Sequence, residues 1–134
     1  EKRALTDDEN RAYNFADLLR YSSALGFGSD APIESLNPCL GIYSAIARKP
    51  KLDSNQPGWR LDQSLGLTQA LDAYTLGAAK LSQSSHIRGK IETNYYADLI
   101  VFEDYLEQEQ EYWLEASPEL VICAGEIVEI TRQF

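Results

Sequence analysis

The sequence predicts an α/β chain, with helices and one short buried strand first and a small antiparallel β unit last. Three observations carry this. Leu67, Leu71, Tyr74, Ala78 and Leu81 recur on one helical stripe. "ALGFG", residues 24–28, is a short apolar run that ends at an acid, with a proline close behind. "YADLIVF" and "LVICAGEIVEI" are rich in branched and aromatic residues, as strands are.

The elements follow in order. Thr6 with Asp7, Asp8 and Glu9 forms a capping box whose acids suit a first helical turn, so a helix is expected from there to about Tyr13. Asn14 recaps a second helix, with Phe15, Leu18 and Leu19 on one face. A strand is expected over about 24–28. Asn37 caps the next helix, about 38–48, and Pro38 takes its first position, where a missing N–H costs nothing. Residues 48–60 are polar, hold two prolines and show no period, which reads as a loop. The clearest helix follows, about 67–81, with Gly66 as its cap residue. Ala70, Ala73, Ala78 and Ala79 let it approach a neighbour closely. In the β unit, Gly125-Glu126 is expected to make a type II′ hairpin turn.

Composition favours one domain with a modest core: 134 residues, 44% hydrophobic and 25% charged. The net charge of −9 argues against nucleic acid. Seven acids and no base fall within 103–119, and without them the net charge is −2. That stretch reads as a solvated acidic connector; no glycine-centred ligand loop for calcium is present. Cys39 and Cys123 lie far apart and read as buried, reduced thiols. The single histidine, His86, sits among polar residues and reads as structural or exposed. No run of about 18 apolar residues exists, so no membrane partner is expected. No signal peptide is visible, and a cytoplasmic protein is expected, with its true start upstream of Glu1.

Asp30 is the candidate site residue. If the extended form lasts through Ser29, alternation puts Leu25 and Phe27 on one face and Ala24, Gly26, Gly28 and Asp30 on the other. A small-residue face ending in a carboxylate leaves open space beside it. Two readings stand on spacing alone. An acid at the carboxyl end of a barrel strand serves catalysis, whereas Ser29 and Asp30 side chains at the same place cap a turn.

"GFGSDAPIESLNPCLGIYSAIAR", "LTQALDAYTLGAAKL", "RGKIETNYYADLIVF" and "VICAGEIVEI" occur in that order. Together they resemble the C-terminal end of the metal-dependent amidohydrolase superfamily, in the branch called amidohydrolase family 3, the YtcJ-like hydrolases. The likeness runs from about Arg11 to Ile130. It implies that residues 1–82 are the end of a (β/α)₈ barrel, with 24–28 as its eighth strand, and that 83–134 form a small antiparallel β unit beside it. It implies that Asp30 is a metal ligand and the catalytic proton shuttle. The cofactor implied is a divalent metal, zinc, in the intact enzyme; the substrate is a small molecule with a carbon–nitrogen bond. Asn94 and Tyr95 stand where the family has glycine and lysine, and asparagine tolerates the left-handed turn that glycine provides.

The family's His-x-His pair and later histidines have no counterpart here. The chain is therefore expected to be an inactive C-terminal segment of a longer hydrolase, without firmly bound metal. The other reading is a standalone interaction module with an acidic surface. The segment reading also leads to an expected homodimer, since helices and a strand edge lose their barrel neighbours.

Overall fold

The computed structural model describes residues 12–51, 53, 55–102 and 109–130. Helix α1 spans Phe15–Tyr21 and α2 spans Pro38–Ala47. A short 3₁₀ turn, Leu61–Gln63, precedes a long helical stretch. That stretch consists of α3, Leu67–Asp72, a π turn over Ala73–Gly77, and α4, Ala78–Leu81. Strand β1, Leu99–Val101, the short helix α5, Tyr112–Glu115, and strands β2, Leu120–Cys123, and β3, Glu126–Ile130, complete the order. The helix expected from Thr6 lies outside the described residues up to residue 11, and residues 12–13 form a turn.

Helix α2 begins as its sequence dictates. Asn37 Oδ1 accepts the Cys39 N–H at 3.0 Å, and Pro38 takes the first helical position. It ends at Arg48, which adopts the left-handed conformation (φ 56°) and donates its N–H to Ser44 C=O. Helix α1 starts differently. Asn14 makes no side-chain cap; its Oδ1 instead accepts from Arg60 at 2.7 Å. At α3 the missing glycine side chain is offset by Gln69, whose Oε1 accepts the Gly66 N–H at 2.9 Å.

The apolar stripe expected along 67–81 holds only for its first half. Leu67, Leu71 and Tyr74 pack on the core, but Leu81 is exposed and Ala79 is buried. The π turn explains this. Its wider turn rotates everything downstream, so a stripe drawn at 3.6 residues per turn loses phase after Gly77.

The three strands form one antiparallel sheet in the order β1-β2-β3, with Leu99 opposite Ile122 and Cys123 opposite Glu126. The connecting turn is Ala124-Gly125, one residue earlier than expected. Both residues have positive φ, 51° and 86°, which makes the turn type I′ and not II′. Ala124 tolerates this because its N–H is held by Asp98 Oδ1 at 2.8 Å and the Gly125 N–H by Ala97 C=O at 3.0 Å. Asn94 is left-handed as expected, at φ 72°. Val121 faces Glu129 and Ile122 faces Ile127, so Val128 is the extra residue of a bulge in β3.

The core does not stop at the boundary expected near residue 82. Tyr43 and Trp113 are both fully buried, in one cluster with Cys39, Ile42, Ile46 and Ala116. Trp113 belongs to the stretch read as a solvated connector. Its residues 103–108 lie outside the described residues, but 112–116 anchor in the core, with Phe102 edge-on to Trp113 at 5.7 Å. Of the two thiols, Cys39 is buried as expected, whereas Cys123 is exposed at the hairpin.

Among the described residues the buried Tyr43 hydroxyl has no hydrogen-bond partner, so Tyr43→Phe should raise the unfolding free energy by about 1 kcal/mol. Urea unfolding at neutral pH checks this. Burial pushes Tyr43 up, with Lys49 opposing and Glu111 adding; burial also pushes Tyr74 and Cys39 up. A raised folded value means that the contribution to stability is complete below the unfolded value and is lost as pH rises through the folded one. Stability should therefore fall from about pH 8.5 upward, where an ordinary thiol and then a tyrosine begin to ionise. The fall should be shallower in Tyr43→Phe.

Candidate functional site

The segment carrying the candidate acid, residues 24–29, runs between α1 and the turn at Asp30. It is neither helix nor hydrogen-bonded strand, so the strand expected over 24–28 is not formed. The reason is pairing. A ladder needs a neighbour, and the three-stranded sheet of the described residues lies elsewhere in the chain. One backbone bond ties the segment to the long helical stretch: the Phe27 N–H donates to Ala73 C=O at 2.9 Å, at the first residue of the π turn.

Contact between segment and helix is made backbone to backbone. A Cβ built on Gly77 would lie 1.9 Å from the Leu25 carbonyl oxygen. A Cβ on Gly26 would lie 2.6 Å from Leu81 Cδ1 and 3.2 Å from Ala78 Cα. Gly26 thus faces the helix, contrary to the alternation expected from an ideal strand. Gly28 does open into free space, with nothing within 4 Å of its Cβ position. The Phe27 ring packs edge-on against Phe15 at 5.0 Å and Tyr74 at 5.6 Å.

Asp30 follows at a left-handed φ of 50° and is exposed. The turn behind it is closed by main chain: Ile33 N–H donates to Asp30 C=O at 2.9 Å and Glu34 N–H to Ser29 C=O at 3.3 Å. Among the described residues the Asp30 carboxylate has no hydrogen-bond or ion-pair partner. The side-chain capping role weighed for Ser29 and Asp30 is therefore filled by carbonyl groups.

Two further connections hold this turn. Glu34 pairs with Lys51 Nζ at 2.5 Å, and the lysine holds the Glu34 carboxyl below the usual range. Lys51 belongs to the aperiodic loop, whose ends Arg48 and Trp59 clasp. The Trp59 N–H donates to Arg48 C=O at 2.8 Å, and Arg48 Nε donates back to Trp59 C=O at 3.2 Å. The Arg48 guanidinium lies between Phe15 and Trp59, at 5.2 and 5.3 Å from the ring centres. Its desolvation, together with Arg60, lowers its pKa. Beside the turn is a cavity of about 250 Å³, walled by Phe15, Phe27, Tyr74 and α2, with Glu34 and Lys51 at its edge. Asp30 does not line it.

Sequence reasoning missed Tyr74, read only as core, and Lys51, lost in a loop without period. His86 is exposed. Among the described residues no group of three or more His, Cys, Asp or Glu converges to hold a metal ion.

The sequence model of the Amidohydrolase family matches residues 2–129. The chain belongs to the amidohydrolase family. It is 36% identical over 95 residues to the Bacillus subtilis (strain 168) protein named "Putative amidohydrolase YtcJ", covering 71% of this chain and 18% of the relative. It is 32% identical over 91 residues to "Protein LONG AFTER FAR-RED 3" of Arabidopsis thaliana, covering 67% and 15%. The amidohydrolase chain described here therefore spans less than a fifth of the length of these relatives. No solved structure matches it significantly.

The seating of the Asp30 segment gives a paired prediction. Gly77→Ala should cost about 1–3 kcal/mol, because the new methyl meets a carbonyl that cannot withdraw without moving the segment. Gly28→Ala should stay within about 0.5 kcal/mol of the parent chain. Thermal unfolding of both variants distinguishes them.

Proposed function

We propose that this chain is the C-terminal part of a metal-dependent amidohydrolase that hydrolyses a carbon–nitrogen bond of a small molecule. In the intact protein, where a neighbouring strand can pair with them, residues 24–28 serve as the last strand of a (β/α)₈ barrel, the helices to residue 82 close it, and 83–134 form the accompanying β unit. One observation carries the reading. In a chain of this family, the acid after a glycine-flanked segment stands exposed, without a partner among the described residues, beside the open flank of Gly28. A carboxylate held for structure would have spent its oxygens on neighbouring donors.

Asp30 acts as general base and then general acid. A water attacks the substrate carbonyl carbon and gives its proton to Asp30; Asp30 passes it to the leaving nitrogen as the carbon–nitrogen bond breaks. The intact enzyme also takes a divalent metal, zinc, with Asp30 among its ligands. The described residues do not fit a metal by themselves, since they offer one carboxylate where zinc takes about four ligands. Asp30 is the one group of this chain in the proton transfer, and the 134-residue chain by itself is inactive. Free cysteines fit a reducing, cytoplasmic setting. No helix of the described residues is long and apolar enough to cross a membrane.

The accurate mass of the native polypeptide in its source, and turnover of a panel of amides by it, test the reading. A polypeptide several times longer than this chain is expected. In it, Asp30→Asn should lower kcat at least about a hundredfold. Undiminished turnover in that variant would sink the assignment.

A second reading, a standalone module, is favoured by one fact: Leu25 and Phe27 pack against the chain's own core residues. Among the apolar side chains left outside are Leu18, Tyr21 and Leu81, on the helices, which are 48%, 81% and 63% exposed. Under the hydrolase reading this surface drives homodimer formation of the isolated chain; the bulge at Val128 disfavours pairing through the β3 edge. Sedimentation at micromolar concentration should show a dimer that Leu81→Lys dissociates. A clean monomer would favour the standalone module.

A further inference from the structure

The cavity beside the Asp30 turn takes no part in the steps above. At about 250 Å³ it is large enough for a small organic molecule. One side of it is aromatic, from Tyr13, Phe15, Phe27 and Tyr74, with Phe27 edge-on to Phe15 and Tyr74, and the other side carries polar groups such as Ser35 and Asn37. Gly41 makes room for one polar group: a Cβ there would sit 1.8 Å from the Tyr74 hydroxyl oxygen. Tyr74 lines the cavity, and its hydroxyl has no hydrogen-bond partner among the described residues. Burial, then Cys39 and Glu34, raise its pKa, so it stays a neutral donor at ordinary pH. At the edge, Glu34 and Lys51 neutralise each other, so the opening selects no charge, and the chain's net charge of −9 disfavours anions.

Position adds to chemistry. The cavity lies at the carboxyl end of segment 24–29, beside the N-terminal end of α1 and along α2 as far as Ala45. That is the end at which a (β/α)₈ barrel collects its substrate.

We infer that this cavity binds a neutral, single-ring aromatic group bearing a hydrogen-bond acceptor, with the ring against Phe27 and the acceptor at the Tyr74 hydroxyl. The inference rests on the hydrolase reading in one respect, that the aromatic group is part of the substrate. Edge-on and offset contacts with Phe15 and Phe27 favour a ring over an alkyl chain of equal size.

Benzamide is the probe, followed by saturation-transfer NMR on the 134-residue chain. Saturable binding is expected, weak as befits a small ligand. Tyr74→Phe should weaken it about fivefold, the loss of one hydrogen bond. Gly28 lines the cavity with nothing within 4 Å of its Cβ position. Gly28→Leu should therefore fill the space and abolish binding without loss of the unfolding transition, and Gly28→Ala should weaken it less. Ile91→Ala, at a 90% exposed position that does not line the cavity, should leave binding unchanged. Absence of saturable binding, or equal binding in folded Gly28→Leu, overturns the inference. Equal affinity in Tyr74→Phe overturns the placement of the acceptor. Benzamide binding alongside turnover that ignores Asp30 would remove the hydrolase reading and keep the cavity; the converse pair of results would remove only the cavity.

Discussion

Helix α2 has to be buried on nearly every side, and the rest of the structure answers that demand. Six of its ten residues are buried, among them Ile42, Tyr43, Ala45, Ile46 and Ala47, and the partly exposed Gly41 and Ser44 line the cavity. A helix apolar around most of its circumference needs partners all round. Ala70 of α3 and Leu65 before it supply one side, and Trp113 and Ala116, from far along the chain, supply another. Withdrawing Trp113 alone would forfeit roughly 1.5–3 kcal/mol of apolar burial. The helical region and α5 are therefore one packed body.

The same demand positions the acid. Helix α2 fixes α3, and the π turn that follows α3 offers the Ala73 carbonyl to Phe27 and the bare Gly77 backbone to Leu25. The segment so held ends at Asp30, whose turn is closed by its own backbone and steadied by the Glu34–Lys51 pair. A carboxylate reached through this series of contacts is well placed without spending its own oxygens on neighbours. Under the proposed function, this leaves the carboxylate available for proton transfer. The π turn is a local irregularity with a positional consequence, as such turns often are near functional sites.

The cavity and the acid are separate features of one loop system. Residues 28 and 29 and Glu34 touch the cavity, while Asp30 between them faces solvent. A left-handed residue at the start of a turn reverses the chain's direction, which divides the two roles within a few residues. Under the proposed function, one side of the turn would hold a substrate group while the other carries out proton transfer.

Read alone, the chain disclosed what depends on near neighbours. The Asn37–Pro38 start of α2, the extent of the 67–81 helical stretch, the left-handed Asn94 and the hairpin around Gly125 follow from capping, periodicity and turn chemistry, which act over a few residues. Family membership was legible too, because the motifs are contiguous. Tertiary structure decided the rest. No local pattern says that Trp113 leaves an acidic stretch to fill the space beside Tyr43, or that Tyr74 ends in a cavity. The π turn's shift of phase and the lack of a ladder partner for 24–28 depend on which groups lie opposite one another in space. Hydrogen-bond partners and packing volumes are set by distant parts of the chain, so only the folded arrangement could settle them.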